Sequence, residues 1–150
     1  MPKKYIGKTP QQQLDDIRSA LHALPLRIAN LGLKHFKKNF DEGGWEGQKW
    51  VKRKDNLPHP LLQQTRKLYR SLAKEVRENR IRVFIAAPAN IYGTAHNEGF
   101  RGTVAVRSKR GKAFTRRMNL PKRKFIGPSD KLDKAATQLV TDTITKLLQG

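Results

Sequence analysis

The densest group of side chains that could do chemistry is a run of cations that no carboxylate interrupts. Residues 101–124 contain ten Lys and Arg and no Asp or Glu. Guanidinium and ammonium groups bind phosphate and carboxylate oxygens, so the run predicts contact with a polyanion or an acidic protein surface. Few aromatic side chains interleave the cations, so we expect any nucleic-acid contact to depend on salt and to ignore base sequence. The cations are Arg101, Arg107, Lys109, Arg110, Lys112, Arg116, Arg117, Lys122, Arg123 and Lys124.

The whole chain shares this bias in charge. Its 150 residues carry 32 Lys and Arg against 12 Asp and Glu, which is a formal net charge of +20. Residues 101–150 supply half of that excess. Such a balance favours phosphate backbones or acidic proteins as neighbours, and a merely solubilising surface is the alternative.

The residue types that catalysis or metal binding would need are scattered. The acids form no cluster that would hold catalytic metal ions, and neither a phosphate-binding loop nor a nucleophile elbow occurs. A Ser–His–Asp arrangement remains open, because its members need not be close in sequence. We expect no enzymatic activity, no cofactor and no metal site. The histidines, none of which has metal-ligand spacing with another, are His22, His35, His59 and His96.

Length and composition predict one domain over residues 1–150, which is an ordinary size for a single hydrophobic core. No apolar stretch approaches the roughly 20 residues of a membrane span, and residues 1–6 lack the core of a signal peptide. The chain has no cysteine, which is compatible with a reducing compartment. We therefore expect a cytoplasmic protein that does not contact a membrane.

A helix is expected to open the domain. Apolar residues from Leu14 to Leu31, followed by His35, are spaced alternately by three and four positions. Thr9 and Pro10 suit an N-cap and a first helical residue, and residues 41–44 suit a glycine C-cap. Pro25 interrupts the stripe without changing its phase, so we expect one kinked helix or two abutting helices. A stripe of three heptads favours a helix that covers a sheet over a coiled coil with a partner.

The middle of the chain carries strand signals. Alternation over residues 80–87 predicts a strand, whereas residues 68–76 fit a helix or a strand equally well. We prefer an antiparallel hairpin of 68–77 with 80–87. A second pair is expected from 103–106 and 113–118, joined by a turn at 109–112.

Irregular segments separate these elements. Residues 43–60 are expected to form a loop that Trp45 and Trp50 pin to the core, with stacking on bases as the alternative. Residues 61–65 fit a short helical turn. A second turn should hold Tyr92 and His96 on one face and end at Gly99.

The C-terminal part combines a clip and a helix. In residues 121–127 we expect Phe125 and Ile126 to anchor the chain while the three bases stay in solvent. A helical stripe from Leu132 to Leu148 follows, capped by Ser129 or Asp130. The predicted class is α+β: a small antiparallel sheet or β-hairpins packed against a long N-terminal helix, kinked near Pro25, and a C-terminal helix.

Several short blocks stand in a recognisable order. The blocks are His35-Phe36 through Phe40-Asp41, Gly43-Gly44, Trp45 and Trp50; Leu61-Leu62-x-x-Thr65-x-x-Leu68-x-x-Ser71; Ile91-Tyr92-x-x-x-His96-x-x-Gly99; and Pro121-x-Arg123-x-Phe125-Ile126-Gly127-x-Ser129. Over roughly residues 28–130, this order resembles the phage virion morphogenesis family, the Mu-like tail-completion or head–tail joining proteins of tailed phages and prophages.

The resemblance implies a non-enzymatic structural protein of the neck, at the head–tail junction or the head-proximal end of the tail. It implies other phage neck or tail proteins as partners, a homo-oligomeric ring, and assembly in the host cytoplasm before residence in the virion. The motif residues would have structural roles. They are Phe36, Phe40, Trp50, Thr65, Leu68, Tyr92, His96, Gly99, Pro121, Arg123, Phe125 and Gly127.

The chain departs from the family pattern at two places. Arg66 stands where the family often has glycine, and the stretch 100–120 is unusually basic. We interpret this stretch as a loop or hairpin inserted on a compact scaffold. It would face packaged DNA, an acidic partner ring or the tail lumen, and a stand-alone, sequence-independent nucleic-acid-binding protein is the alternative.

Overall fold

In the computed structural model, which describes residues 7–54, 57–78 and 80–149, four α-helices are interspersed with three antiparallel β-hairpins. This arrangement confirms the α+β class, with hairpins instead of one continuous sheet. The elements are α1 (Pro10–Glu42), β1 (Gly44–Trp45), β2 (Gln48–Lys49), α2 (Lys67–Ser71), β3 (Leu72–Arg77), β4 (Arg80–Ile85), α3 (Asn90–Glu98), β5 (Phe100–Arg107), β6 (Ala113–Leu120) and α4 (Asp130–Gln149).

The helix α1 is one continuous element of 33 residues that contains Pro25. Thr9 caps it in a reciprocal capping box with Gln12, and Gly43 closes it with a φ of 63°. The proline removes one internal hydrogen bond, and burial of the following half of the helix offsets that loss. Of the two alternatives that Pro25 left open, the single helix is confirmed.

The helix α4 packs against α1 in the antiparallel direction. Arg27 Nη1 donates to Thr143 Oγ1 over 3.0 Å. Gly32, five residues further along α1, faces Leu132, and a Cβ at Gly32 would lie 3.1 Å from Val83 Cγ2. The missing side chain therefore lets α4 and the β3–β4 hairpin both approach α1 closely.

Ser129 is the residue that caps α4. Its Oγ accepts a hydrogen bond from Leu132 N over 3.1 Å, and Asp133 N donates to its carbonyl oxygen. Asp130 is instead the first helical residue, where its carboxylate complements the positive end of the helix dipole. Of the two predicted N-caps, Ser129 is therefore confirmed.

The β3–β4 hairpin pairs Leu72 with Ile85 at one end and Arg77 with Arg80 at the other. The predicted hairpin of 68–77 with 80–87 is confirmed over 72–77 and 80–85. Its first strand begins later than expected because residues 68–71 lie in α2. Leu68 and Leu72 are both buried. Residues four positions apart lie on one face of a helix and also on one face of a strand, so their spacing fits either element. The chain is helical up to Ser71 and becomes a strand at Leu72.

Two further expectations about irregular segments need correction. The loop at 43–60 contains the short β1–β2 hairpin, in which Gly44 pairs with Lys49. Residues 61–65 form turns and no helix, and Leu62 has a φ of 60°. The α-helical turn starts two residues later, at Lys67.

The core gathers side chains from α1, the 43–60 loop, α2, β3 and the clip. Phe40 and Phe125 are its least exposed members, with ring centroids 4.8 Å apart. Trp50 is buried against Phe40, and the Trp45 ring stacks on Phe36 at 12°. The prediction that both tryptophans pin the loop is therefore confirmed. The buried cluster comprises Phe36, Phe40, Trp50, Leu68, Leu72, Ala89 and Phe125.

Arg66 adopts a left-handed backbone conformation, with φ 53° and ψ 10°, immediately before α2. A side chain with a Cβ costs about 1 kcal/mol there relative to glycine. We therefore expect Arg66→Gly to be more stable than Arg66→Ala by about 1 kcal/mol in urea unfolding. Both substitutions remove the guanidinium that lies 5.1 Å above the Tyr69 ring, so the difference isolates the backbone. If the alanine variant were as stable as the glycine variant, the backbone at Arg66 would not be strained.

Candidate functional site

The cationic run forms a hairpin that we call the basic hairpin, residues 100–120. Its register runs from Phe100 opposite Leu120 to Arg107 opposite Ala113, and its strands form a separate two-stranded sheet. Ser108 and Lys112 close the tip through a 2.9 Å backbone hydrogen bond, and Gly111 has a φ of 81°. The strand–turn–strand prediction is confirmed, and both strands are longer than expected.

The register divides the basic hairpin into two faces, because residues opposite each other in an antiparallel pair point to the same side. In β5 the residues at even positions are half-buried and those at odd positions are exposed. The odd positions pair Arg101 with Asn119 and Thr103 with Arg117. The even positions form the more apolar face: Phe100, Val104, Val106, Phe114, Met118 and Leu120, with Arg116 among them.

Seven of the ten predicted contact residues are exposed on this hairpin. Within the described part of the chain, no carboxylate lies within ion-pair distance of any of these seven. Their charges stay solvated and can meet an anion without first breaking an internal pair. They are Arg101, Arg107, Lys109, Arg110, Lys112, Arg116 and Arg117.

The other three predicted contact residues belong to the clip and behave differently. Lys122 is exposed and pairs with the Glu98 carboxylate at 3.4 Å. Lys124 is half-buried, and its Nζ lies 4.1 Å above the Trp45 ring. Arg123 is only 8% exposed and donates through Nε and Nη2 to the Val51 carbonyl oxygen. The expectation that all three bases stay in solvent is therefore wrong. Arg123 binds the backbone of the 43–60 loop, and Lys124 packs over the Trp45 ring.

The clip is held by Trp50 and by two asparagine side chains that the sequence did not single out. Asn97 Oδ1 accepts from the backbone N–H groups of Phe125, at 2.9 Å, and Ile126, at 3.1 Å. Asn39 Nδ2 donates to the Phe125 carbonyl oxygen over 3.1 Å. Trp50 Nε1 donates to the Lys124 carbonyl oxygen over 2.7 Å. A single buried asparagine gives no periodic signal, so only its position beside His96 in a motif block pointed to it.

The predicted turn of Tyr92, His96 and Gly99 is the helix α3, which ends at Gly99 with a φ of 81°. The His96 carbonyl oxygen accepts from Arg123 N over 2.8 Å, which ties α3 to the clip. Burial lowers the pKa of His96, and the nearby Arg123 charge lowers it further. His96 is therefore neutral at pH 7 and acts in packing.

A Ser–His–acid group does occur, but its geometry is that of a cap. The Ser129 hydroxyl donates to the Glu46 carboxylate, and His35 Nε2 lies 3.1 Å from Ser129 Oγ. A catalytic triad needs the histidine between the serine and the acid, whereas here the serine lies between them. Ser129 Oγ also accepts from Leu132 N, and burial is the main cause that lowers the pKa of His35. The group thus stabilises the start of α4 and lacks the arrangement that activates a nucleophile.

Neither a metal-binding group nor a membrane-spanning helix is found among the described residues. Among residues 7–54, 57–78 and 80–149, no three His, Asp or Glu side chains come together as a metal site. In the same part of the chain, no helix has the length and apolar character needed to cross a bilayer.

Six of the motif residues meet around one cleft of about 900 Å³. Sequence analysis missed the residues that share this cleft with them: Lys52, Arg53, Lys54, His59 and Lys67. The run of bases at residues 52–54 is the signal that could have found three of them. The six motif residues are Thr65, Leu68, Tyr92, His96, Pro121 and Arg123.

Comparison of the chain with protein-family models, with curated proteins and with solved structures found no match. Its function is therefore inferred from its own geometry together with the order of its motif blocks.

Proposed function

We propose that this chain is a non-enzymatic structural protein of phage virion morphogenesis that acts in tail completion or head–tail joining. The observation that carries the proposal is the convergence of its motif blocks. Phe36, Phe40 and Trp50 of the first block, Leu68 of the second and Phe125 of the last belong to one buried cluster. Blocks that lie far apart in sequence thus build one scaffold, which is what structural motif residues require.

The basic hairpin supplies the surface that such a protein needs for its neighbours. Its seven exposed cations favour packaged DNA, an acidic partner ring or the tail lumen as the opposing surface. Its apolar face includes Phe114, which is 47% exposed. A two-stranded hairpin is marginally stable in water by itself, so burial of this face in an assembly would stabilise it.

A ring of identical chains fits this charge distribution under one condition. Each copy carries a net charge of +20, so close packing of the copies is opposed by repulsion. Anions at the ring centre or acidic neighbours around it would neutralise that repulsion. We therefore expect the ring to form on its partners more readily than alone, in the host cytoplasm and then in the virion.

Deletion of the gene from its phage or prophage tests the proposed function directly. We expect electron microscopy of the lysate to show unjoined heads and tails or incomplete tails. Complementation with the intact chain should restore whole particles. Normal infectious particles from the deletion would refute a role in tail completion and in head–tail joining.

Neutralising the hairpin tests its contact with DNA. We expect the quintuple variant Lys109→Gln, Arg110→Gln, Lys112→Gln, Arg116→Gln and Arg117→Gln to remain folded, because all five side chains are exposed. Its affinity for duplex DNA should fall about 30-fold, from roughly 0.4 kcal/mol per lost exposed contact. The slope of log affinity against log salt should become shallower by about 4, if each cation meets one phosphate.

The matched control changes five exposed cations outside the hairpin that likewise lack an ion pair with a described carboxylate: Lys34, Arg70, Arg80, Lys134 and Lys146. Its glutamine variant has the same net charge as the hairpin variant, so an equal loss of affinity would show that only total charge matters. Unfolding of the hairpin variant would mean that the hairpin belongs to the core.

The alternative function is a stand-alone, sequence-independent nucleic-acid-binding protein, and the exposed cations of the hairpin favour it. Sedimentation and DNA titration separate the two functions. A monomer that binds duplex DNA tightly at about 0.2 M salt would support the alternative. An oligomer, or a chain that binds DNA weakly at that salt, would support the structural role.

A further inference from the structure

The cleft of about 900 Å³ is a concave surface separate from the exposed cations of the basic hairpin. Four stretches that are remote in sequence line it: residues 51–54, 59–68, 92–96 and 119–123. It lies where the loop after Trp50 faces α3 and the end of β6. A cleft of this size accommodates a short segment of an extended chain.

The rim of the cleft is cationic. Lys52, Lys54 and Lys67 are exposed there, and Arg53 and Arg123 contribute to its wall. No Asp or Glu is found among the described residues that line the cleft. Asp55 is the one acid in the sequence between Glu46 and Glu75, and it lies outside the described residues. One carboxylate against five cations would still leave a positive surface, so the cleft selects for an anionic ligand.

The floor of the cleft is apolar. Leu61, Leu62, Leu120 and Pro121 are half-buried on it, and Leu68 connects it to the core. Half-buried leucines gain free energy when a ligand removes them from water, at about 25 cal/mol per Å² of apolar area. The ligand that fits both floor and rim therefore combines carboxylates or phosphates with apolar groups.

The shape and the side chains of the cleft favour a peptide over a nucleic acid. A DNA duplex is a convex, rigid rod, and its phosphates cannot follow a concave floor. Single strands bind through successive stacking platforms, and Tyr92 is the only Phe, Tyr or Trp among the described lining residues. An extended peptide alternates its side chains, so carboxylates can reach the rim while apolar groups meet the floor.

We propose that this cleft binds an extended segment of a partner protein in which acidic and apolar residues alternate. Its carboxylates bind Lys52, Lys54 and Lys67, and its apolar side chains cover the leucine floor. This docking site goes beyond the structural role proposed above and does not depend on DNA contact by the basic hairpin. Failure of the DNA contact would leave this docking site standing, because the hairpin cations and the cleft lysines are different residues.

The test uses fluorescence anisotropy with a labelled peptide of about eight residues that alternates glutamate and leucine, at about 0.15 M salt. The cleft variant is K52E/K54E/K67E, and the matched control is K34E/K134E/K146E, which changes exposed lysines of α1 and α4. Both variants change the net charge equally. We expect the cleft variant to bind the peptide about tenfold more weakly and the control to change affinity less than about twofold.

Four further measurements complete the test. Circular dichroism should show both variants folded, and the milder K52Q/K54Q/K67Q variant should bind about threefold more weakly. A peptide with glutamine in place of glutamate should bind the intact chain about tenfold more weakly. A labelled thymidine oligonucleotide of similar length should bind no more tightly than the glutamate–leucine peptide.

Four results would overturn the proposal. They are equal losses in the cleft and control variants, equal affinity for the glutamine peptide, no binding of the glutamate–leucine peptide to the intact chain, or tighter binding of the oligonucleotide that depends on the cleft lysines. The last result would reassign the cleft to single-stranded nucleic acid.

Discussion

Replacing Phe40 by alanine is expected to destabilise the fold by about 3–5 kcal/mol. Phe40 is 1% exposed, and its ring centroid lies 4.8 Å from that of Phe125 and 5.8 Å from those of Trp50 and Tyr69. Rings from α1, the loop, α2 and the clip meet at this side chain, so the cavity cannot collapse without moving several elements. The expected loss is a large share of the 5–15 kcal/mol that stabilises a typical domain.

Urea unfolding, followed by tryptophan fluorescence, measures this loss, because Trp50 reports on the same cluster. Phe114→Ala is the matched control: the same substitution at a side chain that is 47% exposed on the basic hairpin should cost less than about 1 kcal/mol. Equal costs for the two variants would mean that the core is not centred on Phe40. A folded Phe40→Ala variant with a lowered midpoint would support the cluster described here.

The two long helices are the elements that sequence periodicity predicts best. The stripe from Leu14 and the caps at Thr9 and Gly43 match the limits of α1, and the stripe from Leu132 matches α4. Apolar residues repeated over many turns leave one geometry that buries them together, and caps mark the ends. Long elements are therefore determined locally.

The short elements were harder to predict because tertiary contacts decide them. Leu68 and Leu72 fit a helix and a strand, and the chain changes from one to the other between them. Arg123 is a base in a basic run, yet it is buried and donates to the Val51 carbonyl oxygen. Neither outcome follows from local propensity, because each depends on a segment that is distant in sequence.

The basic hairpin and the cleft differ in the same way: the first is determined by one local segment and the second by tertiary contacts. The basic hairpin is one continuous segment, so its charge and its strand–turn–strand form were predictable from residues 101–124. The cleft combines Lys52 and Lys54 with Lys67, which α2 positions, and with Tyr92 from α3. Because the three segments meet only in the folded chain, spacing in the sequence could not predict the cleft.

Replacing Asn97 by alanine is expected to destabilise the fold by about 2–4 kcal/mol, although the change removes only three heavy atoms. Asn97 is 7% exposed, and its Oδ1 accepts from Phe125 N and Ile126 N. Truncation leaves two backbone N–H groups without this acceptor beside a buried ring, and each costs about 1–3 kcal/mol when water cannot replace the bond. Two of the hydrogen bonds that hold the clip thus depend on one oxygen atom.

Two comparisons distinguish this hydrogen-bonding role from simple packing. Asn97→Asp retains an oxygen acceptor and should lose about half as much stability as Asn97→Ala, the remaining loss coming from burial of a carboxylate beside Glu98. Asn119→Ala changes an exposed asparagine and should cost less than about 0.5 kcal/mol. Amide hydrogen exchange at Phe125 and Ile126 should accelerate in Asn97→Ala more than exchange in the middle of α1, because the clip opens before the helix does. Equal acceleration at both places would show that Asn97 supports the whole core and holds no special position at the clip.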